Sequence, residues 1–369
     1  MTRLERTRAA GKGVRAKLEP YKRHLSAAAM LAGFATDNIL LGRVDIPATQ
    51  AILAVYILVA GLAILLLHFA EARGADGRIY RWRNFLPLVI QFALGSSWSG
   101  LLVFYSRSAV IAASWPFLLL LVAIFFGNEI FNRYIARLVF SATLLFFALF
   151  SYAIFLVPIY MHAIGTRIFL LSGAFASLAF LAFLRVLSRV GPEGFRRARL
   201  RIFGGSAGLF ALINIFYFVN ILPPLPLALS AIGVYHSVEK VGDTYIATGE
   251  PEPWYTGFGW QHTVGIPPGA PVSVFSSVFA PVRLTTQISH RWEWYSPVAR
   301  KWLDRGRVTF TVTGGRDGGY RGYSVKRNPA PGDWRVDIET SDGRLIGRIR
   351  FTLINTSAQQ NLQRFALTR

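Results

Sequence analysis

The sequence predicts a bundle of seven membrane-spanning helices followed by a C-terminal all-β sandwich. Three observations carry that prediction. Apolar runs of span length fill residues 25–229, Lys and Arg concentrate in alternate loops, and short period-two segments with Asp-Gly turns follow residue 230.

Composition sets the frame. Apolar residues make up 53% of the 369, mean hydropathy is +0.40, and charged residues are only 16%. A soluble domain carries about 25% charged residues, so the deficit points to membrane spans. The net charge of +21 would suggest a nucleic-acid partner if it were spread over a soluble fold. Its distribution along the chain assigns it to topology and anionic-lipid contact instead, and no nucleic acid is expected. The absence of cysteine excludes disulfides, cysteine zinc sites, iron–sulfur ligation and a thiol nucleophile.

A bilayer core needs about 20 apolar residues per helix. Seven runs meet or approach that length: Leu25–Leu41, Ile52–Ala70, Phe85–Tyr105, Val110–Phe126, Leu138–Pro158, Ile168–Phe183 and Ile202–Leu222. The first is the shortest case and carries Asp37 near its far end. Small residues in "SAAAMLAGFA" would suit signal-peptide cleavage, but the apolar stretch runs past them, so the segment is read as retained.

Loop charges fix the orientation. The tail before the first span holds eight Lys/Arg, and the loops after spans two, four and six hold four, two and six. The loops after spans one, three and five hold one each: Arg43, Arg107 and Arg167. Twenty against three places the N-terminus in the cytoplasm. An odd number of spans then places the C-terminal domain outside. The domains expected are a basic cytoplasmic tail (1–24), the membrane bundle (25–229) and an extracytoplasmic β-domain (230–369).

After "ILPPLPLALS" the pattern changes. The prolines end the last helix. "RVTFTVT" sets Val308, Phe310 and Val312 on one face, and "WRVDIET" sets Trp334, Val336 and Ile338 opposite Arg335, Asp337 and Glu339. "SDGR" then turns the chain into "IRFTL". Further strands fit near Val234–Val238, Tyr245–Thr248, Val272–Phe279 and Thr285–Trp294. Period two with Asp-Gly turns predicts an antiparallel sheet buried on one face, and six to eight short strands predict a sandwich.

"ISHRWEW", "GRVTFTVTGGRDGGYRGYSVK" and "GDWRVDIETSDGRLIGRIRF" together resemble the bacterial envelope domain of unknown function 2914. The matching positions are His290, Trp292, Arg321, Ser324, Lys326, Gly332, Trp334, Val336, Asp342, Gly343 and Phe351. The long "YSPVARKWLDRG" between the first two strands departs from the pattern. The membrane region, with "GFATDNILLGRVD", "YSRS", "GNEIFNRY" and "NILPPLPLAL", resembles the multi-span part fused to this domain in some bacteria. The resemblance implies a bacterial inner-membrane protein with a periplasmic β-domain. It implies no activity.

The glycine-rich "TVTGGRDGGYRGYSVKRN" lacks the Gly-Lys-Ser/Thr and the following helix of a phosphate-binding loop. It reads as two strands around a glycine turn, with Arg316, Tyr320, Arg321 and Lys326 able to meet an anionic glycan or lipid head group. Trp254, Tyr255 and Trp260 are candidates for an exposed aromatic platform or an interfacial belt. His290 joins the ligand-binding candidates, although its face also holds Ile288 and Trp292, and Trp292 with Trp334 fits the core. Ser324 with His290 and Asp317 would make a catalytic triad on paper, and Asp337 with Glu339 a carboxylate pair. Neither has a nucleophile elbow or cleft signature around it. The six histidines lack metal spacing, so no metal and no cofactor are expected.

Ionisable groups within spans are costly and default to functional hypotheses. Asp37, Arg43 and Asp45 cluster at the outer end of the first span, with Arg107 in the next outer loop. Gln91, Asn214 and Asn220 suit interhelical hydrogen bonds, and Gly204 with Gly208 a close helix crossing. The expected function is a non-enzymatic envelope protein whose outer domain binds a glycan, an anionic lipid head group or another envelope protein. The alternative is a transporter or lipid- or glycan-modifying enzyme with its site at Asp37, Arg43, Asp45 and Arg107.

Overall fold

The computed structural model describes residues 46–73, 82–83, 85–108, 111–130, 137–223, 226–250, 262–281, 284–314, 319–356 and 361–367. Six helices precede eleven strands among them: α1 (Pro47–Arg73), α2 (Leu86–Ser108), α3 (Ile111–Ile130), α4 (Leu138–Met161), α5 (Thr166–Val190) and α6 (Pro192–Phe218). All except α3 contain a stretch long and apolar enough to cross a membrane, and α3 contributes the shorter apolar segment Ser114–Ile124. The six match the second to seventh expected spans. The first expected span, Leu25–Leu41, lies outside the described residues.

By internal contacts the chain forms two compact units. One holds Leu121–Ala148, Ala182–Gly205 and the described residues up to Val103. Its helices pack through aromatic and small residues: Trp98 meets Phe147 at 4.8 Å between ring centroids, and Gly61 faces Leu145 and Phe183. The expected crossing at Gly204 and Gly208 is not found, since a methyl group on either would meet nothing within 4 Å among the described residues. Gly205 is the pressed position, with Thr143 Oγ1 3.0 Å from where its Cβ would stand.

The other unit comprises Phe104–Leu120, Leu149–Leu181 and Ser206–Arg369. Its helical part is stitched by rings: Tyr105 lies 4.7 Å from both Phe117 and Phe155 and donates its hydroxyl to the Ser151 carbonyl. Phe150 stacks on Phe210 at 5.4 Å. Asn214 donates to the Phe210 carbonyl of its own helix rather than across helices. Asn220 is exposed and serves the helix end. Its φ of 59° is the left-handed cap conformation, and the amides of Ile221 and Leu222 return to the Phe216 carbonyl. Pro223 then prevents continuation.

The strands follow: β1 (Ala228–Tyr235), β2 (Ser237–Val241), β3 (Thr244–Gly249), β4 (His262–Ile266), β5 (Val272–Phe279), β6 (Thr285–Ser296), β7 (Lys301–Thr313), β8 (Tyr320–Lys326), β9 (Gly332–Thr340), β10 (Leu345–Asn355) and β11 (Gln363–Leu367). They form a three-stranded sheet β1-β5-β8, a five-stranded sheet β4-β10-β9-β6-β7 and a three-stranded sheet β11-β3-β2. The first two share one core, in which Val234, Val272, Val274 and Val278 meet Ile288, Trp292, Val312, Trp334, Val336, Ile338 and Phe351. Strand β5 is covered on its other face too, where Phe275 joins Tyr235, Val238 and Ala247. That double burial explains why "VSVFSSVF" is almost wholly apolar or small.

The "YSPVARKWLDRG" segment is a hairpin: β6 and β7 pair antiparallel from Thr285–Thr313 to Ser296–Lys301. The glycine-rich segment is not. Strand β7 pairs with β6 and β8 with β5, so the chain changes sheets between Gly314 and Gly319. Close backbone approach demands glycine at both ends of that crossover. A Cβ on Gly314 would stand 1.7 Å from the Pro281 carbonyl oxygen, and one on Gly319 2.9 Å from the Val278 carbonyl carbon.

Candidate functional site

Among the described residues, two polar arrangements in the β-domain and one cleft between its β9–β10 turn and the helices contain groups capable of chemistry. The first lies inside the shared core. Strand alternation sends His290 inward between Ile288 and Trp292, and His290 is completely buried. Its Nε2 is 2.7 Å from Ser276 Oγ on β5, and its Nδ1 is 2.8 Å from Ser324 Oγ on β8. The Trp292 indole N–H donates to the same Ser324 oxygen at 3.0 Å. An indole can only donate, so Ser324 accepts from Trp292 and has its own proton for His290 Nδ1. That order assigns the ring proton to Nε2, which donates to Ser276. Burial pushes the imidazole pKa down to about 3, so the ring is neutral at physiological pH.

The structure therefore brings Ser324 and His290 together, as the paper triad required. The rest of a triad is missing from the geometry: the second ring nitrogen meets a serine, not a carboxylate, and all three side chains are at most 2% exposed. Asp317 lies outside the described residues. A nucleophile sealed between two sheets has no route to substrate. The chain Trp292–Ser324–His290–Ser276 is a polar rivet between sheets, and His290 belongs to the core rather than to an exposed ligand face.

The second arrangement covers the outer face of the five-stranded sheet. Neighbouring strands place Arg291 opposite Asp337, Asp337 opposite Arg348, and Glu293 opposite Arg335. Arg348 clamps Asp337 with Nε at 2.5 Å and Nη2 at 2.6 Å. Glu293 binds Arg335 at 2.5 Å and Arg291 at 3.2 Å, and Glu339 binds Arg307 at 3.2 Å. Arg335 in turn stacks on Trp302, 4.6 Å from its ring centroid. Burial, and then the Asp337 charge, hold the Glu339 carboxyl above its ordinary value, while the Gly306 amide and Arg291 hold Asp304 below its own. Asp337 and Glu339 are thus committed to arginines, not free as an acid–base pair.

The third is a cleft inside the second unit. Its walls are the end of α4 (Ile154, Pro158), the start of α5 (Gly165, Ile168, Phe169), the end of α6 (Tyr217, Leu222) and the β9–β10 turn (Thr340, Asp342, Arg344). The cavity volume is about 30 Å³. Phe169 stacks on Tyr217 at 3.7 Å and 11°, and the Arg344 guanidinium lies 3.8 Å from the other ring's centroid, that of Tyr217. Arg344 Nη2 donates to the Leu222 carbonyl at 2.6 Å. Burial lowers its pKa from the ordinary arginine value.

The remaining sequence candidates divide into two groups. Lys326 donates its amine to the Arg305 carbonyl, Tyr320 packs partly buried against the shared core, and Arg321 is half-buried with its carbonyl taken by the Tyr245 hydroxyl. Trp254, Tyr255, Trp260, Arg316, Asp37, Arg43 and Asp45 lie outside the described residues, and Arg107 is described only as backbone within α2. Sequence reasoning missed Arg344, since an arginine after Asp-Gly in a hairpin turn looks exposed. Among the described residues no group of three or more His, Cys, Asp or Glu could hold a metal.

Residues 285–353 match the family model described as protein of unknown function (DUF2914), which spans β6 to β10 and so includes His290, Trp292, Ser324 and Arg344. No curated protein matches the chain. Among solved structures, the Pseudomonas fluorescens alkylpurine DNA glycosylase AlkC bound to DNA containing an abasic site analog is similar over 82% of this chain and 98% of that chain, at 10% identity. Its TM-score of 0.18 carries no argument about fold or function.

Proposed function

We propose that this chain is a non-enzymatic bacterial inner-membrane protein. Seven spans anchor it with the N-terminus in the cytoplasm, and an outward β-sandwich binds an anionic component of the envelope, a lipid head group or a glycan. The observation that carries the non-enzymatic reading is the sealed Ser276–His290–Ser324 chain. The histidine and hydroxyls best suited to catalysis in the β-domain hold sheets together, and its inner carboxylates hold arginines. The loop-charge asymmetry supports the orientation, and five helices of spanning length support the anchor.

The test is a binding screen on the full chain in nanodiscs of neutral lipid, titrated with cell-wall glycan fragments and with phosphatidylglycerol. Saturable binding weakened by salt is expected. Absence of binding to every anionic probe, or turnover of any of them that disappears in Ser324→Ala, would contradict the reading.

A further inference from the structure

We propose that the Arg344 cleft is a binding site for the phosphate of a membrane lipid head group. The inference names one site and one ligand class for the binding role above, and it rests on the helices lying in a bilayer.

Two independent features converge there. Arg344 is a cation at 7% exposure whose Nε has no hydrogen-bond partner among the described residues, and Asp342 in the same cleft acts on it through its charge without forming an ion pair. Burying a guanidinium with one N–H unsatisfied is costly, and stacking on Tyr217 offsets only part of it. A phosphate oxygen would accept from that open Nε in a charge-assisted hydrogen bond. Gly165, Ile168 and Phe169 at the N-terminus of the 25-residue helix α5 line the same cleft. The first amides of a helix have no partner within it, and its dipole favours an anion at that end.

The shape selects a lipid over a free ion. Ile154, Pro158, Ile164, Ile168 and Leu222 make most of the wall apolar, as a glycerol backbone or acyl root requires. A cavity of about 30 Å³ has room for phosphate oxygens rather than a whole head group, which would extend out of it. Asp342 lines the cleft and takes the Thr340 hydroxyl, and its carboxylate is placed to accept from a head-group hydroxyl or ammonium as well. A glycerol or ethanolamine head has such a donor, and a choline head has none.

The experiment is native mass spectrometry of the detergent-solubilised full chain, titrated separately with phosphatidylglycerol, phosphatidylethanolamine, phosphatidylcholine and inorganic phosphate. Wild type should retain one equivalent of the first two in preference to phosphatidylcholine. Arg344→Gln should weaken that retention at least tenfold. Ile168→Trp, which fills the cleft while leaving the Arg344–Leu222 bond intact, should do the same with an unchanged circular dichroism spectrum. Equal lipid retention in wild type and both variants overturns the proposal, as does equally tight binding of inorganic phosphate alone. Alkaline extraction of native membranes reads the anchor separately. A chain that stays in the membrane but is indifferent to both substitutions loses only the cleft site, whereas an extracted chain loses the membrane reading and the site with it.

Discussion

His290 Nδ1 and Ser324 Oγ are 2.8 Å apart although they belong to different sheets. The hydroxyl also receives the Trp292 indole proton, so one serine terminates two buried polar groups. Replacing Ser324 by Ala would strand both. Each unsatisfied buried group costs about 1–3 kcal/mol, so Ser324→Ala should destabilise the β-domain by about 2–4 kcal/mol. Thermal unfolding of the detergent-solubilised protein followed by near-ultraviolet circular dichroism, which reports on buried tryptophans, checks it.

The neutral histidine makes stability depend on pH with a defined sign. Its folded pKa of about 3 lies below the unfolded value of about 6.5, so the unfolded chain binds the extra proton. The contribution is fully present above pH 6.5 and is lost as pH falls towards 3. Between pH 7 and pH 4.5 the loss is about 2–3 kcal/mol. His290→Gln should be less stable at pH 7, and its deficit relative to wild type should shrink at pH 4.5. A constant deficit would mean that the ring titrates alike in the folded and the unfolded chain.

On the outer face of the five-stranded sheet, position decides the strength of an ion pair. The Glu293 side chain is 3% exposed and holds Arg335 and Arg291, while Asp304 is 52% exposed and forms an ion pair with Arg291. Glu293→Gln should cost about 1–3 kcal/mol because it takes the carboxylate from the partly buried Arg335 while Arg291 keeps Asp304 and Glu339, whereas Asp304→Asn should cost about 1 kcal/mol or less. Denaturation midpoints of the two variants should differ accordingly.

The glycine-rich crossover gives a steric test. A methyl group on Gly314 would overlap the Pro281 backbone, with no side chain able to move aside. Gly343, in the β9–β10 turn, has φ of +78° but open space around it. Gly343→Ala should cost about 1 kcal/mol from backbone strain alone, and Gly314→Ala several times that or a failure to fold. Expression level and unfolding midpoint separate the two.

The legible parts of the fold were those with local periodicity. "WRVDIET" alternates because one face of β9 meets the core, and the six described helices follow from runs of apolar residues. Strand β4 left little trace, because five residues pairing in parallel with β10 produce no turn signal nearby. The glycine segment looked like a hairpin because flanking strands that join different sheets have the same local pattern as strands that pair. The site was less legible for the same reason. Alternation placed His290 beside Trp292, but its partners come from strands 14 and 34 positions away. Arg344 meets Leu222, just past the end of α6 and 122 positions earlier, a contact no local pattern announces.

The orientation of the β-domain is the claim on which the binding role depends most directly. A reporter active only outside the cytoplasm, fused after Arg369, should give active protein, and a cytoplasm-only reporter at the same point should stay dark. The opposite pair of results would place the β-domain in the cytoplasm and contradict the outward binding role.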